Sequence, residues 1–201
     1  MKHNLEKSRH NSIRLKDYDY SQNGAYFVTV CARNHESFFG NVFREEIVLN
    51  KYGKIVNQLW NELPNHFFNI ESGWFMVMPN HIHGVIVINN ECRGGVTPPM
   101  GESAFGGSPL QIPKLGQIIA YFKYQTTKII NKIRSTPGLQ LWQRNYYKHV
   151  VRNEDELNKI RYYIQTNPLK WHLDRENPER IGADELEDEI FNSSMTNQMV
   201  K

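Results

Sequence analysis

The chain has 201 residues, 39% of them apolar and 12% aromatic, which fits one globular domain with a sizeable core. No stretch approaches the roughly 18 consecutive apolar residues of a membrane span, so a cytoplasmic protein is expected, and Cys31 and Cys92 form neither a CxxC motif nor a disulfide framework. The formal charge of +3 conceals an asymmetry: residues 176–201 hold seven acids against Arg180 and Lys201, leaving 22 basic against 14 acidic residues elsewhere, a net +8. Such an excess suits a polyanionic partner, although ordinary charge variation also produces it.

Residues 1–23 are polar and basic, include Arg14 and Lys16, and read as an arm leading into the fold. The run 25–32 (AYFVTVCA) is rich in β-branched and aromatic residues and predicts a strand, with a shorter one at 45–49. From Lys51, apolar residues at 52, 55, 56, 59 and 63 recur at helical spacing until Pro64 and Asn65. The strand 74–78 then meets a tight turn at Pro79-Asn80 and pairs antiparallel with the apolar run that follows. Residues 90–112 hold five glycines and three prolines and read as a mobile insertion.

A second helix is expected over 113–135, with Leu115, Ile118, Ile119, Phe122, Ile129, Ile130 and Ile133 inward and Lys123, Lys128, Lys132 and Arg134 on polar positions. Such a charged face is either merely solvated or a phosphate contact. In the segment 141–152, Trp142, Tyr146 and Tyr147 interleave with Arg144, Lys148, His149 and Arg152, as in a surface that stacks on bases while cations follow phosphates. An irregular strand with buried aromatics has the same sequence. Asn153 or Asp155 can cap a third helix with Leu157, Ile160 and Ile164 inward, which Pro168 ends. Residues 173–201 read as an acidic C-terminal tail, expected to fray beyond Arg175.

The chemistry concentrates in two places. His81 and His83 flank Ile82 at the head of the run Gly84-Val85-Ile86-Val87-Ile88. On a strand these two imidazoles stand on one face and can share a metal ion. By itself the pair is weak, since two core histidines at a strand entry have the same spacing. On the third helix, Tyr163 and Asn167 are four residues apart and share a face. A phenol and an amide therefore project together.

The order Met78-Pro79-Asn80-His81-Ile82-His83-Gly84, then Leu141-Trp142-Gln143-Arg144, Tyr147-Lys148-His149 and Tyr163-Ile164-Gln165-Thr166-Asn167-Pro168 resembles the single-tyrosine HUH transposase family, of the REP-associated tyrosine transposase type. The likeness spans roughly residues 12–172. Relaxases, another HUH group, place their tyrosines before the histidines. The resemblance implies an α+β fold, a central antiparallel sheet with helices packed on it (a ferredoxin-like or RRM-like HUH domain), over residues 24–172.

It also implies a DNA strand transferase that cleaves and rejoins single-stranded or hairpin DNA through a 5′-phosphotyrosine link. Tyr163 matches the nucleophile, and His81, His83 and Asn167 match the metal site, with Mg²⁺ or Mn²⁺ as the ion. Two imidazoles are softer ligands than Mg²⁺ prefers, which leans towards Mn²⁺. The register and the Asn167 partner select Tyr163 over Tyr162. Arg14, Lys123, Lys128, Arg144, Tyr147, His149 and Arg152 are the expected DNA contacts. A homodimer is compatible with the wider family. The alternatives are a non-catalytic nucleic-acid-binding module and a metal-dependent nuclease that activates water at the same histidines.

Overall fold

The computed structural model describes residues 18–90 and 113–196, with side chains to residue 192. The expectations for Arg14, for most of the N-terminal arm and for nearly all of the insertion at 90–112 lie outside the described residues, as does Cys92.

Six strands and five α-helices follow one another: β1 (Gly24–Cys31), β2 (Gly40–Phe43), β3 (Glu46–Leu49), α1 (Lys51–Asn61), α2 (Leu63–His66), β4 (Ile70–Val77), β5 (His81–Ile88), α3 (Leu115–Arg134), β6 (Tyr147–Val151), α4 (Glu154–Thr166) and α5 (Glu185–Thr196). The main sheet has the order β4-β5-β1-β6, and its neighbours pair antiparallel; β2 and β3 form a separate hairpin. With α1 between β1 and β4 and α3 between β5 and β6, this is the βαββαβ arrangement of ferredoxin-like folds. The α+β expectation therefore holds.

The helices start where local chemistry satisfies their first N–H groups. Asn50 Oδ1 accepts from Tyr52 and Gly53 N–H at α1, and Asn153 Oδ1 accepts from Glu156 N–H at α4. Glu154, Asp155 and Glu156 in the first turn of α4 complement its dipole. Pro64, expected to stop the first helix, sits in the first turn of α2, where its missing N–H costs nothing.

β5 lies between β4 and β1 and is covered on both faces, which accounts for its continuous apolar run. On one face Ile82, Ile86 and Ile88 join Tyr26, Val28 and Val30 of β1 under α1 and α3. On the other, Phe27 and Val85 meet Ile160, Tyr163 and Ile164 of α4 and Ile190 and Phe191 of α5. His81 and His83 share that second face with Val85.

Three expectations are corrected. Ile129 and Ile133 of α3 are exposed, whereas Thr126 and Asn131 are buried in their stead. Thr126 Oγ1 back-bonds to Phe122 O and accepts from Trp142 Nε1, and Asn131 Nδ2 donates to Leu139 O, so the inward stripe tolerates polar groups that find partners. Trp142 itself lies in the core, 4.9 Å from the Phe39 ring, and is no stacking platform. The segment after Arg175 is not frayed through residue 192: α5 buries Glu187, Ile190 and Phe191, and the Arg175 guanidinium lies 4.0 Å from the centre of the Phe191 ring.

Gly84 is required by a close approach. A Cβ there would lie 2.3 Å from Trp60 Cζ2, because the buried indole of α1 lies directly against this point of the sheet and stacks on Phe75 at 4.5 Å. Gly84→Ala should lower the unfolding free energy by about 1–3 kcal/mol, the range of overpacked cores. Denaturant unfolding of variant and parent measures it.

Candidate active site

β5 carries the centre of the site. His81 and His83 are completely buried, and their Nε2 atoms face each other at 2.8 Å. Asn80 sets the first ring. Its Nδ2 donates to the main-chain oxygens of Glu176 (2.6 Å) and His35 (3.2 Å), so its Oδ1 must be the acceptor for His81 Nδ1–H at 2.8 Å. A neutral His81 then keeps its lone pair on Nε2, the atom turned into the site. Burial above all pushes its pKa down to about 4, so the ring is uncharged at neutral pH. His83 Nδ1 is held by Thr29 Oγ1 at 2.8 Å, while Phe27 stacks on the ring at 5.6 Å.

Asp174 completes the cluster. Its Oδ2 lies 3.7 Å from His81 Nε2 and 3.9 Å from His83 Nε2, and the three residues place ligand atoms within 4.8 Å of one another. Burial opposes ionisation of this carboxyl, but the two imidazoles and the Asn167 amide outweigh it and hold the pKa below the ordinary value. Asn167 Nδ2 donates to Asp174 Oδ2 at 2.7 Å, whereas the buried Asn167 Oδ1 has no hydrogen-bond partner among the described residues. An orphaned carbonyl oxygen beside two imidazole nitrogens and a carboxylate suits a divalent cation. It would be a costly defect in an ordinary core.

Tyr163 reaches the same point from α4. Its hydroxyl is 3.1 Å from His83 Nε2 and donates to Glu187 Oε1 at 3.0 Å. Burial, then the carboxylates of Asp174 and Glu187, raise its pKa well above that of an ordinary phenol. Burial and the nearby Asp174 push Glu187 up to about 7, although the N–H of Arg175 opposes the shift. Tyr162, its neighbour in sequence, is exposed. The helical register therefore turns only Tyr163 inward.

His81, His83, Tyr163 and Asn167 are thus brought together, whereas the expected DNA contacts that lie among the described residues differ in exposure and in partners. Lys123 donates to the main-chain oxygens of Gln143 and Arg144, and burial lowers its pKa to about 8. His149 is buried and paired with Glu156 Oε1 at 2.7 Å, which ties β6 to α4. The Tyr147 ring packs 4.3 Å from Phe191. Lys128 lies with Tyr124 and Lys132 on a groove at the C-terminal end of α3, and Arg144 and Arg152 are exposed. Sequence reasoning missed Asp174 and counted Glu187 only as tail acidity. Leu186, Ile190 and Phe191, spaced i, i+4, i+5 around it, were the available signal of a packed helix.

Fold and site together define a ferredoxin-like α+β protein with a buried His-His-Asp cluster able to hold a divalent metal and a tyrosine hydroxyl against it. The chain belongs to the same family as a protein of Haemophilus influenzae that is itself described as uncharacterized, 35% identical over 180 residues that cover 87% of this chain and 96% of the relative. No family model matches the chain. Among solved structures it is similar to a REP-associated tyrosine transposase bound to a REP hairpin, with TM-score 0.49, 20% identity and coverage of 79% of this chain and 73% of that one. It is also similar to a candidate transposase of Deinococcus radiodurans, with TM-score 0.41, 13% identity and coverage of 76% and 95%. Among the described residues no helix is long and apolar enough to cross a membrane.

The raised pKa of Glu187 has a defined sign. A carboxyl whose folded value lies near 7 rather than 4.5 contributes stability that is complete below about 4.5 and lost as pH rises through about 7. Glu187→Gln, which hydrogen-bonds without titrating, should flatten the dependence of unfolding free energy on pH across this window. Denaturant titrations at several pH values, with chelator present, test it.

Proposed function

We propose that the protein is a metal-dependent DNA strand transferase of the single-tyrosine HUH type, with Tyr163 as nucleophile. The observation that carries this proposal is the convergence of the Tyr163 hydroxyl, the two imidazoles, Asp174 and the unpartnered Asn167 oxygen on one buried point. The motif order in the sequence supports the same assignment.

Tyr163 Oη attacks the phosphorus of a phosphodiester in single-stranded or hairpin DNA. The bond from phosphorus to the 3′ oxygen breaks, the departing 3′ oxygen takes a proton from water, and the 5′ phosphate remains esterified to tyrosine. The phenol's own proton passes to Glu187, whose pKa near 7 suits a proton acceptor at neutral pH. His81, His83, Asp174 and Asn167 would hold the divalent ion, which when bound polarises the scissile phosphate. The carboxylate and amide oxygens harden the donor set beyond the two imidazoles, which suits Mn²⁺ or Mg²⁺. His83 and Phe27 orient the phenol, whose hydroxyl α5 encloses in this state, so a DNA strand gains access by a shift of α5.

The test uses labelled hairpin or single-stranded DNA with Mn²⁺. Parent protein should give a covalent protein–DNA adduct at the 5′ end, abolished by chelator. In Tyr163→Phe the adduct should fall at least about a thousandfold while DNA binding is retained. An undiminished adduct in Tyr163→Phe rejects this nucleophile. Cleavage without any adduct favours activation of water, and binding without cleavage under all conditions favours a non-catalytic module.

A further inference from the structure

Beside the His81–His83 cluster lies a second convergence of metal-ligand side chains. Cys31 at the end of β1, His35 in the 3₁₀ turn Arg33–His35 and Glu176 place a thiol sulfur, an imidazole nitrogen and a carboxylate oxygen within 4.8 Å of one another. We propose that Cys31, His35 and Glu176 form a second divalent-metal site, of the zinc class, which clamps the Asp174–Glu176 segment to the end of the sheet. This proposal is independent of the strand-transfer chemistry.

The donor set selects the class of ion. A thiolate, an imidazole and a carboxylate together are a borderline-soft trio, suited to Zn²⁺ and poorly suited to Mg²⁺ or Ca²⁺. Three protein ligands leave a fourth tetrahedral position for water. Around a tetrahedral zinc ion the ligand atoms lie on the order of 3.5 Å apart, so small side-chain rotations close the observed arrangement.

The surroundings are built to hold the ligands. His35 Nδ1 lies 3.2 Å from Glu176 Oε2, and the other ring nitrogen, Nε2, meets the Gln143 side-chain amide at 2.8 Å. Metal-bound histidines commonly have their second nitrogen anchored in this way, and the Gln143 amide can present either its oxygen or its nitrogen to the ring. Gln143 N–H also donates to Cys31 O, so one residue fixes the positions of both ligands. Asn34 and His35 adopt φ values of 56° and 54°, a left-handed conformation that non-glycine residues rarely take, and this turn aims the imidazole inward. Asn80 donates to the main-chain oxygens of both His35 and Glu176, fastening the two sides of the cluster.

Occupancy would act on the first site through the chain. Glu176 is two residues from Asp174, and its N–H donates to Asp174 Oδ1 at 2.7 Å. An ion that fixes Glu176 therefore fixes the carboxylate facing His81 and His83.

Cobalt(II) is the probe, because a cobalt–thiolate bond has a charge-transfer absorption that histidine and carboxylate ligands lack. The full chain carrying Cys92→Ser, so that Cys31 is its single thiol, is stripped with chelator and titrated with Co²⁺. The thiolate band should saturate within two equivalents, since the first centre can also take cobalt, vanish in Cys31→Ser, and need at least tenfold more cobalt in His35→Ala, a substitution on a half-buried turn. It should persist in His81→Ala and His83→Ala, with zinc displacing the cobalt. Absence of the band in the parent, or an unchanged titration in His35→Ala, overturns the proposal. So does loss of the band in folded His81→Ala, which would assign the thiol to the first centre.

Discussion

The site depends on the two-residue pleat of one strand that is buried on both faces. In β5, odd-numbered positions face α4 and α5 while even-numbered positions face α1 and α3. A slip of one residue would send both imidazoles into the apolar layer under Trp60. Two features oppose that slip: the Ile82, Ile86 and Ile88 side chains belong to the first face, and only Gly84 leaves room for the Trp60 indole. Both histidines then emerge where the side chains of α4 can meet them. The apolar packing of one face thus sets the geometry of the polar site on the other.

Burial also sets the electrostatics. An imidazole taken out of water loses its affinity for a proton, so His81 is neutral and its Nε2 can serve as a ligand. A carboxylate in the same dry space needs compensation, and Asp174 receives a hydrogen bond from the Asn167 amide. Glu187 has less compensation and moves the other way, towards neutral pH. Opposite shifts on two nearby carboxyl groups divide their roles: one remains an anion suited to a cation, and the other can exchange a proton with the phenol. The same enclosure raises the pKa of Tyr163, so an unassisted phenolate would be scarce at neutral pH.

Sequence patterns exposed the elements better than the partners. The alternation around His81 and His83, the turn at Pro79-Asn80 and the i, i+4 relation of Tyr163 and Asn167 are local, and each appears in the structure where its spacing places it. Charge patterns translated less well. Lys123 and His149 are at positions that suit DNA contacts, yet one holds the main chain at residues 143–144 and the other is paired with Glu156. The interleaved aromatics at 142 and 147 face the core and α5. A basic or aromatic residue has the same letter whether it meets solvent or a main-chain oxygen, and its burial is decided by the neighbouring element.

The amino-acid order by itself determined the helix and strand periods, the caps at Asn50 and Asn153, the facing of His81 with His83 and the sharing of a helix face by Tyr163 and Asn167. These follow from spacing within a single element. Only the tertiary structure decided that the acidic C-terminal segment folds back as α5, that Asp174 and Glu187 join the histidines and the phenol, and that Cys31, His35 and Glu176 converge. Those contacts link residues far apart in the chain through a shared desolvated space. Their cost and benefit exist only once the sheet and its two helical layers have excluded water.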